Sequence, residues 1–404
     1  TAGEVASAGT GQNADAGAPT ADAGAGGGSD SEEPGKDCGP PPISEGPFTR
    51  ESLRGAAAAC ALWHFCEFED EALKLESRVH RYAAAPDERA AEAARDAWRS
   101  AMSAWSRVEM FQFGPLSSRT ESAGKDSFRG QGVRELIYAW PTVARCRVED
   151  QIVSQSYATR GMDGVLISGR GLYALEYLLF YPGTDTVCGS ATPTAKAWTE
   201  LDSADISARK REYAAALATD VLQRIQGLST LYSPEGGNFQ QEFAQAVGYP
   251  NEQEALNVLA WALVYVEREV KDWKLGVPAE LTLTHPVGEH EAPYALVGTE
   301  NLRENLRGFR SLFQGCGANG EGLGFDDWLT ESGHPELADD ILGALQNAQS
   351  AADRFPPYDR ATKADFQALY AAVKALTDLL KAELFGSGSP LNLELPAGVA
   401  SDTD

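Results

Sequence analysis

Two glutamates on apolar helix faces are the residues of this chain best placed to do chemistry. In the run Asp96–Pro115, Glu109 continues a stripe of Trp98, Met102 and Trp105 at spacings of 4, 3 and 4, so all four share one helical face. In Gly169–Phe180, Glu176 lies among Leu175, Leu178 and Leu179, with Tyr173 a turn earlier on its face. Burying a carboxylate unpaired is costly, so each acid is expected to meet an arginine, a tyrosine or a cation. The plain alternative for Glu109 is a Glu–Arg pair tying two helices together, with Arg134 as partner. Gly169 and Gly171 leave the start of the second helix open to close approach by a backbone or a ligand.

Other constellations fail on spacing. The histidines are His64, His80, His285, His290 and His334. A helical zinc protease needs HExxH, two imidazoles one turn apart with a glutamate to activate water. The only His-Glu pair is His290-Glu291, and Ala292-Pro293-Tyr294 follows it, so it reads as a loop dipeptide. His64, between Trp63 and Phe65, reads as a core or edge histidine. There is no GxSxG elbow, and Ser168-Gly169-Arg170-Gly171 lacks the lysine of a phosphate loop. Six cysteines (38, 60, 66, 146, 188 and 316) show no CxxC spacing. Their number permits disulfides, but Cys60 and Cys66 lie about 9 Å apart along one helix on different faces and are not expected to pair.

The elements that must hold these residues are helices. Leu256, Leu259, Leu263, Val266, Val270 and Trp273 form a stripe closed by Gly276 and Pro278; Leu302, Leu306, Phe309 and Phe313 repeat it, as do Phe366, Leu369, Val373, Leu376 and Leu380. No convincing alternating strand is present, so the chain is expected to be all-α. The turn residues Ser233–Asn238 divide it into an N-terminal bundle (48–233) and a C-terminal bundle (237–386). Residues 1–47 are nearly devoid of aliphatic and aromatic side chains and read as a disordered linker, and 387–404 as a loose tail. Thr1 is not a Met, which suggests a removed targeting segment, with a lipid anchor upstream of residue 1 as the hypothesis. With 34 basic and 59 acidic residues in 404, the net charge of −25 argues against nucleic acid and anionic membrane surfaces as partners. No apolar run reaches the roughly 20 residues that span a bilayer.

At these residues the sequence resembles the imelysin family. Gly171-Leu172-Tyr173-Ala174-Leu175-Glu176 is similar to that family's GxHxxE motif, including the Tyr-Leu-Leu-Phe that follows. The likeness continues through the helix ending at Phe113-Gly114-Pro115, Tyr138-Ala139-Trp140-Pro141, Lys274-Leu275-Gly276-Val277-Pro278, Glu291-Ala292-Pro293-Tyr294 and Asn305-Leu306-Arg307-Gly308-Phe309, covering roughly residues 48–385. The resemblance implies two helical bundles with a cleft between them, a bacterial cell-envelope location, often lipid-anchored, and a link to iron. It implies a ligand site among Glu109, Arg134, Gly171, Tyr173, Glu176 and Glu291. The chain departs from the motif at Tyr173, where the family has histidine. A phenol ligates well only as phenolate, which suits a hard, highly charged ion, so the candidate metal set is Tyr173, Glu176 and Glu109 and the candidate ion is iron, with complete loss of metal binding as the alternative.

The reading these features favour is a non-enzymatic, extracytoplasmic binding protein that captures iron, an iron chelate, haem or a peptide in the interdomain cleft. An imelysin-type metallopeptidase is the alternative, resting on family naming and weakened by Tyr173. A helical docking module that meets an envelope protein through its acidic surface is the third.

Overall fold

Helices begin where a side chain can accept the first free backbone N–H groups. The computed structural model describes residues 35–44, 46–117, 131–142, 144–281, 290–385 and 388–395. Thr49 and Ser52 form a capping box that starts α1 (Arg50–Ala84), and Asp87 caps α2 (Glu88–Val108). The connection between them is three residues long, which makes them antiparallel neighbours. Short helices follow: α3 (Val133–Ile137), α4 (Arg145–Ser154), α5 (Ser156–Arg160), α6 (Gly171–Phe180) and α7 (Pro193–Trp198). Asp202 then caps the long α8 (Ser203–Tyr232), which is followed by α9 (Phe239–Ala244). Asn251 caps α10 (Glu252–Trp261), which runs on through a tight turn at Ala262–Val264 into a π-helical segment, Val266–Gly276. The last helices are α11 (Gly298–Phe313), α12 (Phe325–Glu331), α13 (Pro335–Arg354) and α14 (Lys363–Leu379), whose end, Leu380–Leu384, is again π-helical. The described residues contain no strand, so the chain is all-α as its periodicity predicts, and none of their helices is long and apolar enough to cross a membrane.

The packing order is α8 on α1, α1 on α2, α2 on α11, α11 on α13, and α13 on α14, with α14 closing against the π segment. Helix α2 also meets α6. It therefore touches both the short helices and the C-terminal helices, and Glu109 stands at its C-terminal cap. The turn at residues 233–238 falls between α8 and α9, and the buried apolar cluster is continuous on both sides of it.

Both ends differ from expectation where they are described. Residues 1–34 lie outside the described residues, but residues 35–44 do not behave as linker: Cys38 is bonded to Cys66, Lys36 pairs with Glu69 at 2.5 Å, and Trp63 donates to the Gly39 carbonyl at 3.1 Å. A disulfide and two polar anchors fix this segment against α1. The tail is likewise held. Leu391 and Leu393 are buried, Gln253 and Trp261 donate to the carbonyls of Asn392 and Glu394, and the Glu394 N–H donates to Asn257. The remaining bridges are Cys60–Cys316 and Cys146–Cys188, so Cys60 and Cys66 indeed take other partners.

Candidate functional site

Gly171 sets the geometry of α6. Its φ is +76°, and a β-carbon there would stand 2.4 Å from the Ile137 carbonyl oxygen at the end of α3. The close approach expected at this glycine is thus to a backbone. Arg170, immediately before it, is buried against Asp220 of α8 at 2.5 Å, while the Trp98 indole of α2 donates to the Leu172 carbonyl at 2.8 Å. Together they fix where Tyr173 and Glu176 point. Gly171→Ala combines a left-handed backbone with overpacking, and we expect a loss of about 2–4 kcal/mol in urea unfolding. A loss under about 1 kcal/mol would mean that the helix start is free to move.

Two carboxylates, those of Glu109 and Glu291, meet on one lysine, and a third, that of Glu176, holds the neighbouring loop. Glu109, Glu176 and Glu291 are all 0% exposed. Glu109 Oε1 accepts from Lys274 Nζ at 2.6 Å and from Asn305 Nδ2 at 2.7 Å. The same ammonium reaches Glu291 Oε1 at 2.9 Å and Asn305 Oδ1 at 2.7 Å, and the Tyr138 hydroxyl donates to Glu291 Oε1 at 3.1 Å. Asn305 is locked by donating to the Ser106 carbonyl of α2 at 2.7 Å. Glu176 plays a different part. Its Oε1 accepts the backbone N–H groups of Tyr294 and Ala295, each at 2.8 Å, and so clamps the loop that carries Glu291.

The charges are unequal. Burial pushes the Glu109 carboxyl up, but Lys274 and Arg134, with the Lys274 and Asn305 hydrogen bonds, outweigh it and hold the carboxyl below its ordinary value. Glu291 goes the other way: burial and the Glu109 charge outweigh Lys274 and raise it. Lys274 is opposed by burial and raised by the two glutamates. Tyr138 is pushed well above the phenol range by burial and then by Glu291, Glu109, Glu176 and Tyr173. Glu109 and Glu291 each also keep an Oε2 that is buried and makes no hydrogen bond. Such oxygens call for a water or an ion.

The structure therefore gathers Glu109, Tyr173, Glu176 and Glu291 around Tyr138. Arg134 is not the hydrogen-bonded partner expected for Glu109. It donates to the Tyr265 hydroxyl at 3.2 Å and acts on Glu109 through its charge alone, because Lys274 already fills the position beside the carboxylate. The His290-Glu291 dipeptide does lie in a loop. His290 stacks on Phe366, while Glu291 turns into the cluster. Lys274, Asn305 and Tyr138 are the members that sequence reasoning missed. Lys274 stands four residues after Val270, and Asn305 three after Leu302, each a polar residue on an otherwise apolar stripe. That is the signature that singled out Glu109.

The family described as imelysin matches residues 61–382. Iron-regulated protein A of Synechococcus elongatus is 24% identical over 311 residues, 75% of each chain. Among solved structures, an imelysin-like protein from Psychrobacter arcticum 273-4 superposes with a TM-score of 0.60 at 14% identity, covering 87% of this chain and 99% of that one. A second, from Parabacteroides distasonis ATCC 8503 and named after iron-regulated protein A, gives 0.61 at 15% identity over 85% and 96%.

Proposed function

The chain belongs to the imelysin family, and on that premise we propose that it is an extracytoplasmic binding protein of iron metabolism whose buried oxygen cluster receives a hard cation of the ferric type. The observation that carries this reading is the pair of buried, unbonded carboxylate oxygens, Oε2 of Glu109 and of Glu291, beside two tyrosines. Carboxylate and phenol oxygens are donors that suit hard cations. Glu109 and Glu291 would supply carboxylate oxygens and Tyr173 a phenol, with Tyr138 at the same place. Glu176 would act chiefly by holding the Glu291 loop. Lys274 keeps the two acids together while no cation is there. The name of the Synechococcus relative supports a link to iron, and three disulfides support an oxidising compartment such as the bacterial envelope.

Equilibrium dialysis against ferric citrate tests the proposal. The wild type should retain iron, and Glu291→Gln or Glu109→Gln should weaken retention at least tenfold, about 1.4 kcal/mol. Retention should rise with pH through the titration of Glu291 and fall on acidification, because that carboxyl must lose its proton before it can hold a cation. Lack of retention by the wild type, or equal retention by Glu109→Gln and Glu291→Gln variants that melt normally, removes the reading.

A further inference from the structure

A second cavity lies away from the Lys274 cluster, between α1, α11 and α13. It measures about 430 Å³, and its lining includes Trp63, His64, Arg303, Arg307 and Arg310. That volume falls within the range of small-molecule sites. In a protein with 25 more acids than bases, three arginines line this one cavity, and the carboxylates of Glu300, Glu304 and Asp353 pair with two of them. The three arginines stand at i, i+4 and i+7 on α11, so they spread over about 10 Å along its axis.

The guanidinium groups are held in place by groups around the cavity. Arg303 donates to the Ala352 carbonyl at 3.0 Å and the Asp353 carbonyl at 3.1 Å, with Glu300 at 3.3 Å and the Asp353 carboxylate at 3.8 Å. Arg307 pairs with Glu304 at 2.5 Å. Arg310 donates to Gln314 and to the Asn319 carbonyl, each at 2.9 Å. The fixed element opposite them is His64. It is 4% exposed, and both of its ring nitrogens are buried without a hydrogen-bond partner. Burial, and then the charge of Arg107, lower its pKa to about 3, so the ring is neutral and offers one donor and one acceptor. A buried polar ring left incomplete at the wall of a cavity marks a place where something else supplies its partner.

We propose that this cavity binds a small polycarboxylate anion, its carboxylates spread along Arg303, Arg307 and Arg310 and one of its oxygens meeting His64. Guanidinium forks match carboxylates in geometry as well as charge, and a spread of about 10 Å suits several anionic groups better than one. The proposal is independent of the oxygen cluster, with which this lining shares no residue.

Isothermal titration of the metal-free full chain with citrate, and in a parallel arm with inorganic phosphate, tests it. Citrate should bind and phosphate should not, with citrate affinity falling at least tenfold in the Arg307→Gln/Arg310→Gln double variant and again when the salt concentration is raised from 50 to 500 mM. Glu291→Gln should leave citrate binding unchanged. Absence of citrate binding, unchanged affinity in the double variant, or a preference for phosphate overturns the proposal. So does loss of citrate binding in Glu291→Gln, which would place the anion in the other cluster. Arg307 is exposed and Arg310 half-buried, and the melting temperature of the double variant checks that it folds.

Discussion

Lys274→Met is expected to cost the protein about 3–5 kcal/mol of stability, the size usually seen when one member of a buried ion pair is removed. The ammonium is the shared donor to Glu109 and Glu291, and all three groups are fully buried. Without it, two carboxylates face each other with Asn305 and Tyr138 as their remaining donors. The pH dependence gives the more specific signature. In the wild type, Glu109 is held below its unfolded value, so the stability it contributes is present above the ordinary carboxylate range and is lost as pH falls through its folded pKa. In the variant the same carboxyl is buried without its lysine and its pKa moves upward. The sign then reverses, and acidification toward the carboxylate range should stabilise Lys274→Met. Urea unfolding at several pH values measures both effects. A second change, Glu109→Gln, should restore part of the loss. A variant within about 1 kcal/mol of wild type, with unchanged acid dependence, would show that the three charges are not coupled as described.

Removing the bridge between Cys60 and Cys316 should be the other large loss. It joins residues 256 apart, against 42 for Cys146–Cys188 and 28 for Cys38–Cys66. The chain-entropy argument puts the three at about 5.5, 4 and 3.5 kcal/mol, and measured losses usually fall between about 2 and 5. The order is the test. Paired Cys→Ala variants unfolded in urea should rank in that sequence, and a Cys60/Cys316 variant less affected than a Cys38/Cys66 variant would refute the entropic account. Alanine variants are preferable to reduced protein for this comparison. The two sulfurs and a ring nitrogen of His64 lie within 4.8 Å of one another, and free thiolates there could recruit zinc.

The longer helices were readable because most of them carry an apolar stripe or a capping residue. Asn251 starts α10 and Gly276 ends its π-helical continuation, at the residues that capping and stop chemistry predict. The inward acids were readable for the same reason, since a glutamate on a stripe of Trp and Met can be assigned to a face. What such patterns lack is distance. Arg134 and Lys274 were both basic residues in helical surroundings, and which of them reaches Glu109 depends on how α2, α11 and the π segment converge. The clamp by Glu176 was hidden more deeply, because its partners are the backbone N–H groups of Tyr294 and Ala295, which every residue but proline possesses. The disulfides were out of reach on combinatorial grounds, as six cysteines allow 15 pairings. The ends misled because short segments can be pinned by a disulfide, a few hydrogen bonds or two buried leucines that leave no periodic trace.

The π-helical stretch that carries Lys274 has a consequence for comparing relatives. Its i→i+5 bonding accommodates an extra residue in a turn that an α-helix would close without it. A relative whose helix lacks that residue would close the turn as an ordinary α-helix, and the residues beyond it would keep their face. Its lysine would still reach the carboxylates even though one letter was missing before it. In aligning such chains, a one-residue gap between Val266 and Lys274 is therefore expected where the turn closes as an α-helix, and it leaves the internal counter-ion in place.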